Sequence, residues 1–426
     1  MLEFARAEAT GDPHSFRFAP QTYVVRTPRG GFGSSELAWG PDLMAKLAGV
    51  RATAPDARLL TEIGDLLRGF LTPTGWELHE QQISEAVRRQ RPVLVTIRSA
   101  AAELFALPWE LLTLRASGQF LGGLPGVLVR YEWPETASIP PGDPQADLRR
   151  VLVAWSAAGG AVPAPEHIAA IRAGLGEDAD VLAHATPIQL AAALAEREAA
   201  GKPVATLHLL CHGGARDALF GLVLDDEEDP HTFVDPTRLQ QILAPHAGSL
   251  RLVVLAACDS GNQGDLGNRV GSTAQMLHRA GLATVVASRY PLSTAGSTRM
   301  TGAFYQTLLG ERAPVEAAFL AARAALAADT DHLDWASLQL YARAADSVRL
   351  ARVRPVWQRR PALAGAAGLA LSAVVLAARP WAEDPPPPLP ERLVVGHEEQ
   401  PVLAIEQFRN RYRAAERSAA IADKSR

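Results

Sequence analysis

LRLVVLAACDSG, residues Leu250–Gly261, is an apolar run of strand length that stops at Cys258 and gives way to small and polar residues. A strand apolar at consecutive positions has both faces covered, the habit of a parallel sheet packed between helices. A second run of the same kind, LHLLCHGG at Leu207–Gly214, stops at His212 and continues into two glycines. Working outward, Val151–Trp155, Val181–His184, Ala205–Leu210, Leu250–Ala256 and Ala283–Ser288 read as strands. Glu166–Leu175, Ile188–Ala200, Pro236–Leu243, Ser272–Ala280, Thr298–Leu309 and Pro314–Ala327 read as helices between or after them. The alternation predicts an α/β fold with a mostly parallel sheet flanked by helices. Between Asp217 and Thr237 an acidic insert, DDEEDPH, sits between the short apolar pieces Phe220–Leu224 and Phe233–Val234, which predicts a hairpin projecting from the sheet.

Upstream, PVLVTI at Pro92–Ile97, LPWELL at Leu107–Leu112 and the run Gly126–Tyr131 belong to a smaller N-terminal α/β unit, residues 1–135. Trp133–Asp147, rich in Pro, Gly and Asp, reads as a linker to a main domain at 148–346. Downstream, Ala362–Ala378 (ALAGAAGLALSAVVLAA) carries no charge and lies between Arg359–Arg360 and Arg379. With its flanks it approaches the roughly 20 residues a membrane-spanning helix needs, so a transmembrane helix is expected at 361–380. Arg349, Arg352, Arg354, Arg359 and Arg360 precede it, whereas Arg379 is followed by Glu383 and Asp384. The excess of arginine on the N-terminal side predicts a single-pass protein with its main domain in the cytoplasm. Residues 381–426 read as a Pro-rich spacer, stiff at Pro385–Pro388, and a tail.

Composition narrows the function. With 426 residues and 48% hydrophobic content the chain can bury more than one core. A net charge of −4, with no long basic run ahead of the C-terminal part, argues against nucleic acid as a partner. The opening MLEFARAEATGDPHSF lacks the basic and apolar regions of a secretory signal. The only cysteines are Cys211 and Cys258, too few for an oxidised scaffold, so the folded part reads as intracellular. There is no GxSxG elbow, HExxH helix or Walker A loop, and His231, His246 and His278 show no ligand spacing. DDEEDPH reads as a solvated hairpin tip, and neither a metal nor another cofactor is expected.

The two strand ends carry the chemistry. Ligand sites in open α/β sheets form at the carboxyl ends of strands, and neighbouring strands lie about 4.8 Å apart. An imidazole at His212 then comes within reach of a thiol at Cys258, and a cysteine needs such a partner because a free thiol ionises only near pH 8.5. Gly213, without a side chain, lets its N–H approach an oxyanion, with the Cys258 N–H as a second donor. Cys211 points to the opposite face of its strand from His212 and reads as core.

On these residues the chain from about Pro92 to Arg343 resembles the CHAT domain family, caspase-like cysteine peptidases related to separases and caspases. LPWELLTLRASGQFLGGLPGVLVRY (Leu107–Tyr131) is similar to the family's N-terminal segment, HLLCHGG carries its His-Gly motif and VVLAACDSG its Ala-Cys-x-x-Gly motif. ATVVASRYPLS (Ala283–Ser293), AFYQTLLG (Ala303–Gly310) and HLDWASLQLYA (His332–Ala342) follow in the family's order. The His–Cys separation, 258 − 212 = 46, is near the value of about 50 for caspases. The resemblance implies a caspase-like sheet, His212 as general base, Cys258 as nucleophile, and an oxyanion hole from the N–H groups of Gly213 and Cys258. It also implies a substrate-lining loop at Ser288, Arg289 and Tyr290. Asp259 keeps three readings: orienting the dyad, binding a basic substrate residue, or facing solvent. Tyr290 stands where relatives usually have Trp, and the acidic residue expected near Ser293–Thr294 is missing. The expected activity is that of a membrane-tethered endopeptidase cleaving a protein partner in bacterial signalling or defence. With no helical repeats in this chain, control is expected from a separate regulatory or sensor protein or through the membrane span itself. The alternative is a caspase-like interaction module at the membrane with little turnover.

Overall fold

The computed structural model describes residues 1–8, 16–51, 56–134, 136, 147–229, 231–258, 260–262, 264, 271–329 and 333–343. The first part of the chain supplies β1 (Leu2–Arg6), β2 (Pro20–Arg26), β3 (Phe32–Ala38), β4 (Val93–Ser99) and β5 (Val127–Glu132). After the linker come β6 (Val151–Trp155), β7 (Asp180–Leu182), β8 (Thr206–Leu210), β9 (His212–Arg216), β10 (Leu219–Leu224) and β11 (Thr232–Val234). The series ends with β12 (Leu252–Ala256), β13 (Thr284–Ser288) and β14 (Leu338–Ala342). An 11-stranded sheet runs through both parts in the order β3-β2-β1-β4-β5-β14-β13-β12-β8-β6-β7, and β11-β10-β9 form a separate 3-stranded sheet. From β1 to β7 along that order every pairing is parallel except β13 with β14.

The middle of the sheet is covered on both faces, and its strands are accordingly buried at every position and mostly apolar. Val253 and Leu255 of β12 pack on one side with Leu239, Leu243 and Leu277, from the helices Pro236–Leu243 and Thr273–Arg279. Leu252 and Val254 pack on the other with Met300, Phe304 and Phe319, from Thr294–Tyr305 and Val315–Ala327. Several helices start where a side chain satisfies an orphan backbone donor. Thr186 and Gln189 form a reciprocal capping box, and Ser272 accepts from the Gln275 N–H.

Most expected elements are present, with instructive differences. The helix expected from Thr298 starts at Thr294, because Ser293 caps it by accepting the Gly296 N–H at 2.9 Å, and it passes into a π-helical turn at Gln306–Gly310. HLDWASLQLYA ends as β14, which lies between β13 and β5, antiparallel to β13 and parallel to β5. The acidic insert joins β10 to β11, and these pair antiparallel as expected of a hairpin, with β9 as a third strand. Among the described residues no helix is long and apolar enough to cross a membrane. The expected span at 361–380 and the tail at 381–426 lie outside the described residues.

Candidate active site

β8 and β12 run side by side and parallel, in register from Thr206 opposite Leu252 to Leu210 opposite Ala256. His212 and Cys258 each stand two residues beyond that last pair, at the carboxyl end of the sheet. His212 does not end β8, as the apolar run suggested. Cys211 leaves the ladder, and His212 opens β9, where it faces Val223 of β10. The switch of partners turns the chain at this point, so that β9 passes directly over the Cys258 turn. A β-carbon added at Gly213 would collide with the Cys258 carbonyl, so only glycine permits this approach.

The loop after β6 closes the site from the other side. Gly159 and Gly160 have φ of 84° and 142°, a backbone region that favours glycine. A β-carbon on Gly160 would stand 3.3 Å from His212 Nε2. That nitrogen is buried and has no hydrogen-bond partner among the described residues. Folded proteins leave few buried polar atoms unpaired, since each costs about 1–3 kcal/mol. An imidazole nitrogen held in this state is available to a proton in transit.

No disulfide joins the two cysteines. Cys211 is buried, and burial, followed by its proximity to Cys258, pushes its thiol well above the ordinary range. It is a core thiol shielded from solvent. Cys258 is half-buried, which leaves it reachable. Among the described residues no group of three or more His, Cys, Asp or Glu side chains could hold a metal ion.

The segment expected to line the substrate has its side chains turned inward. Ser288 is 1% exposed; its Oγ donates to the Ala257 carbonyl at 3.0 Å, and its N–H donates to Ser260 Oγ at 3.2 Å. Arg289 is 3% exposed and donates to the Leu107 carbonyl at 2.6 Å and to the Tyr131 hydroxyl at 2.8 Å, with the Glu110 carboxylate 3.6 Å away. Burial opposes its charge, but the facing Tyr131 and Glu110 outweigh it and hold the guanidinium protonated. Tyr290 is buried too; its N–H donates to Ser337 Oγ at 3.0 Å, and its carbonyl accepts from that hydroxyl at 2.7 Å. β13 has β12 on one side and β14 on the other, so it offers no free edge to an added peptide strand. Asp259 lies outside the described residues.

Two parts of the site escaped the sequence reading. Gly159–Gly160 had a legible signal, a glycine pair just beyond the apolar run VLVAW, the same pattern that marked His212. The ties from Ser288 to Ala257 and Ser260 had none, because they depend on which strand lies beside β12.

The match to known proteins is limited in sequence and partial in structure. No curated protein matches the chain. Among solved structures, the chain is similar to one in the complex of Porphyromonas gingivalis RgpB pro- and mature domains, at 13% identity and a TM-score of 0.41, over 64% of this chain and 69% of that one. The model of the CHAT domain family matches residues 72–343, more than half of the sequence and the whole stretch from LPWELL to β14. The chain therefore belongs to the CHAT domain family.

Proposed function

We propose that the chain is a caspase-like cysteine endopeptidase that cleaves a protein partner, with Cys258 as nucleophile and His212 as general base. The observation that carries this reading is the unpartnered Nε2 of His212, held by two glycines at the strand end beside that of Cys258. His212 takes the thiol proton, and the thiolate attacks the scissile carbonyl carbon. The oxyanion accepts from the N–H groups of Gly213 and Cys258. The imidazolium then protonates the leaving amine as the C–N bond breaks, leaving a thioester on Cys258. Water, deprotonated by His212, cleaves the thioester to give the acid and the free thiol.

Comparison of protein N-termini in cells expressing the wild type, Cys258→Ala or His212→Ala tests this. New N-termini present only with the wild type support it, and Cys211→Ser should retain them. Identical N-termini in all strains would favour the second reading, an interaction module with little turnover. One observation favours that alternative: the Ser288–Tyr290 segment has its polar groups paired internally. The membrane tether belongs to the same proposal. It is supported by the uncharged Ala362–Ala378 between arginines, with the catalytic domain on the cytoplasmic side. Release of the whole protein by a carbonate wash would remove the tether and leave the peptidase proposal standing.

A further inference from the structure

The turn that carries Cys258 is held on both sides by one residue of the neighbouring strand. Ser288 closes β13, and its Oγ donates to the carbonyl of Ala257, the residue immediately before Cys258, at 3.0 Å. Its N–H donates to Ser260 Oγ at 3.2 Å, and its carbonyl accepts the Gly261 N–H at 2.8 Å. Ser288 and Ser260 are 1% and 2% exposed, so water does not compete for these bonds. Gln339 of β14 adds a further tie. With its amide oxygen turned to the Arg289 guanidinium, Oε1 accepts from Arg289 Nε at 3.1 Å and Nε2 donates to the Gly261 carbonyl at 3.1 Å. A β-carbon on Gly261 would collide with Gln339, so turn and strand are in close contact.

We propose that Ser288 is a positioning residue for the nucleophile, acting with Ser260 through the backbone of the Cys258 turn. This rests on the reading of Cys258 as nucleophile. The burial of Ser288 denies it any contact with substrate, and its three bonds land on residues 257, 260 and 261, on either side of the thiol. Gly213 packs on the Cys258 carbonyl from β9, so the turn is gripped between that strand and Ser288. The grip fixes both the thiol and the Cys258 N–H, the second oxyanion donor. A displacement of about 1 Å in such a group can lower a rate about 100-fold.

The test reads the thiol itself. Iodoacetamide alkylation of Cys258 in the full chain, followed by peptide mass spectrometry from pH 5 to 9, gives a rate and a titration profile without any substrate. Ser288→Ala should slow alkylation at pH 7 by about tenfold and move the profile to higher pH, because a displaced thiol loses its imidazole partner. Ser288→Thr, which keeps the hydroxyl, should recover most of the rate. Ser260→Ala removes the acceptor from the other side and provides the reading if Ser288→Ala does not fold. Tyr305→Phe, which removes a buried hydroxyl 3.1 Å from His208 Nδ1 on the adjoining strand, controls for lost stability and should keep the wild-type profile. Wild-type profiles in Ser288→Ala and Ser260→Ala, with His212→Ala slow, would overturn the positioning role alone. A wild-type profile in His212→Ala would overturn the dyad and this inference with it.

Discussion

Replacing Arg289 by Met removes a cation from a closed set of oxygens and leaves its counter-ion behind. The guanidinium donates to the Leu107 carbonyl and the Tyr131 hydroxyl and lies 3.6 Å from the Glu110 carboxylate. Glu110 is 1% exposed and would keep the Tyr131 hydroxyl that donates to its Oε1 at 2.7 Å, a backbone hydrogen bond and the weaker pull of Arg323, but no paired cation. Met occupies much of the same volume, so no large cavity forms and the loss is electrostatic. Removing one partner of a buried pair costs about 3–5 kcal/mol, a large share of the roughly 5–15 kcal/mol that stabilises a folded domain. Glu110→Gln in the same background removes the stranded charge while keeping an acceptor for Tyr131. The double variant should therefore be more stable than Arg289→Met by at least about 1 kcal/mol. There is also a pH signature. Burial raises the Glu110 carboxyl and Arg289 lowers it, so without Arg289 the group takes a proton more readily. The deficit of Arg289→Met relative to wild type should then shrink as pH falls and grow as it rises. Urea unfolding followed by tryptophan fluorescence measures all three proteins. A loss below about 1 kcal/mol for Arg289→Met, or a further loss on adding Glu110→Gln, would refute the account of this pair.

Two further outcomes are expected. Gly213→Ala forces a methyl into the Cys258 carbonyl; it should lower stability by about 1–3 kcal/mol, the usual range for overpacking, and abolish cleavage, as thermal melts and N-terminal profiling will show. His167, fully buried against His208 at 3.1 Å, is lowered by burial to about 4, so the unfolded chain binds the proton more readily. Its contribution is complete above pH 6.5 and is lost as pH falls towards 4, about 2 kcal/mol by pH 5, and His167→Gln should flatten that part of a stability–pH curve.

Local chemistry was enough to locate the candidate site. The runs LHLL and LVVLA must bury every side chain, so they form inner strands of a covered sheet, and the residues that follow stand at the end where such sheets bind ligands. His212, Gly213 and Cys258 were legible because each lies just beyond an apolar run in the sequence. What followed from strand order was not. β14 enters between β13 and β5, antiparallel to the first and parallel to the second, and neither its place nor its direction is written in its own residues. Alternation distinguishes inside from outside only where one face meets water. In a strand covered on both faces Ser288 carries no such mark, and only its neighbour β12 decides that its hydroxyl meets the Cys258 turn. Arg289 is the same case at longer range. Its carbonyl partner at Leu107 is 182 residues away, a distance that only the folded sheet closes. Sequence by itself determined the strands and the residues at their ends; the tertiary structure decided which of them stay half-exposed at the end of the sheet and which are buried against the Cys258 turn, because that depends on strand order and not on local pattern.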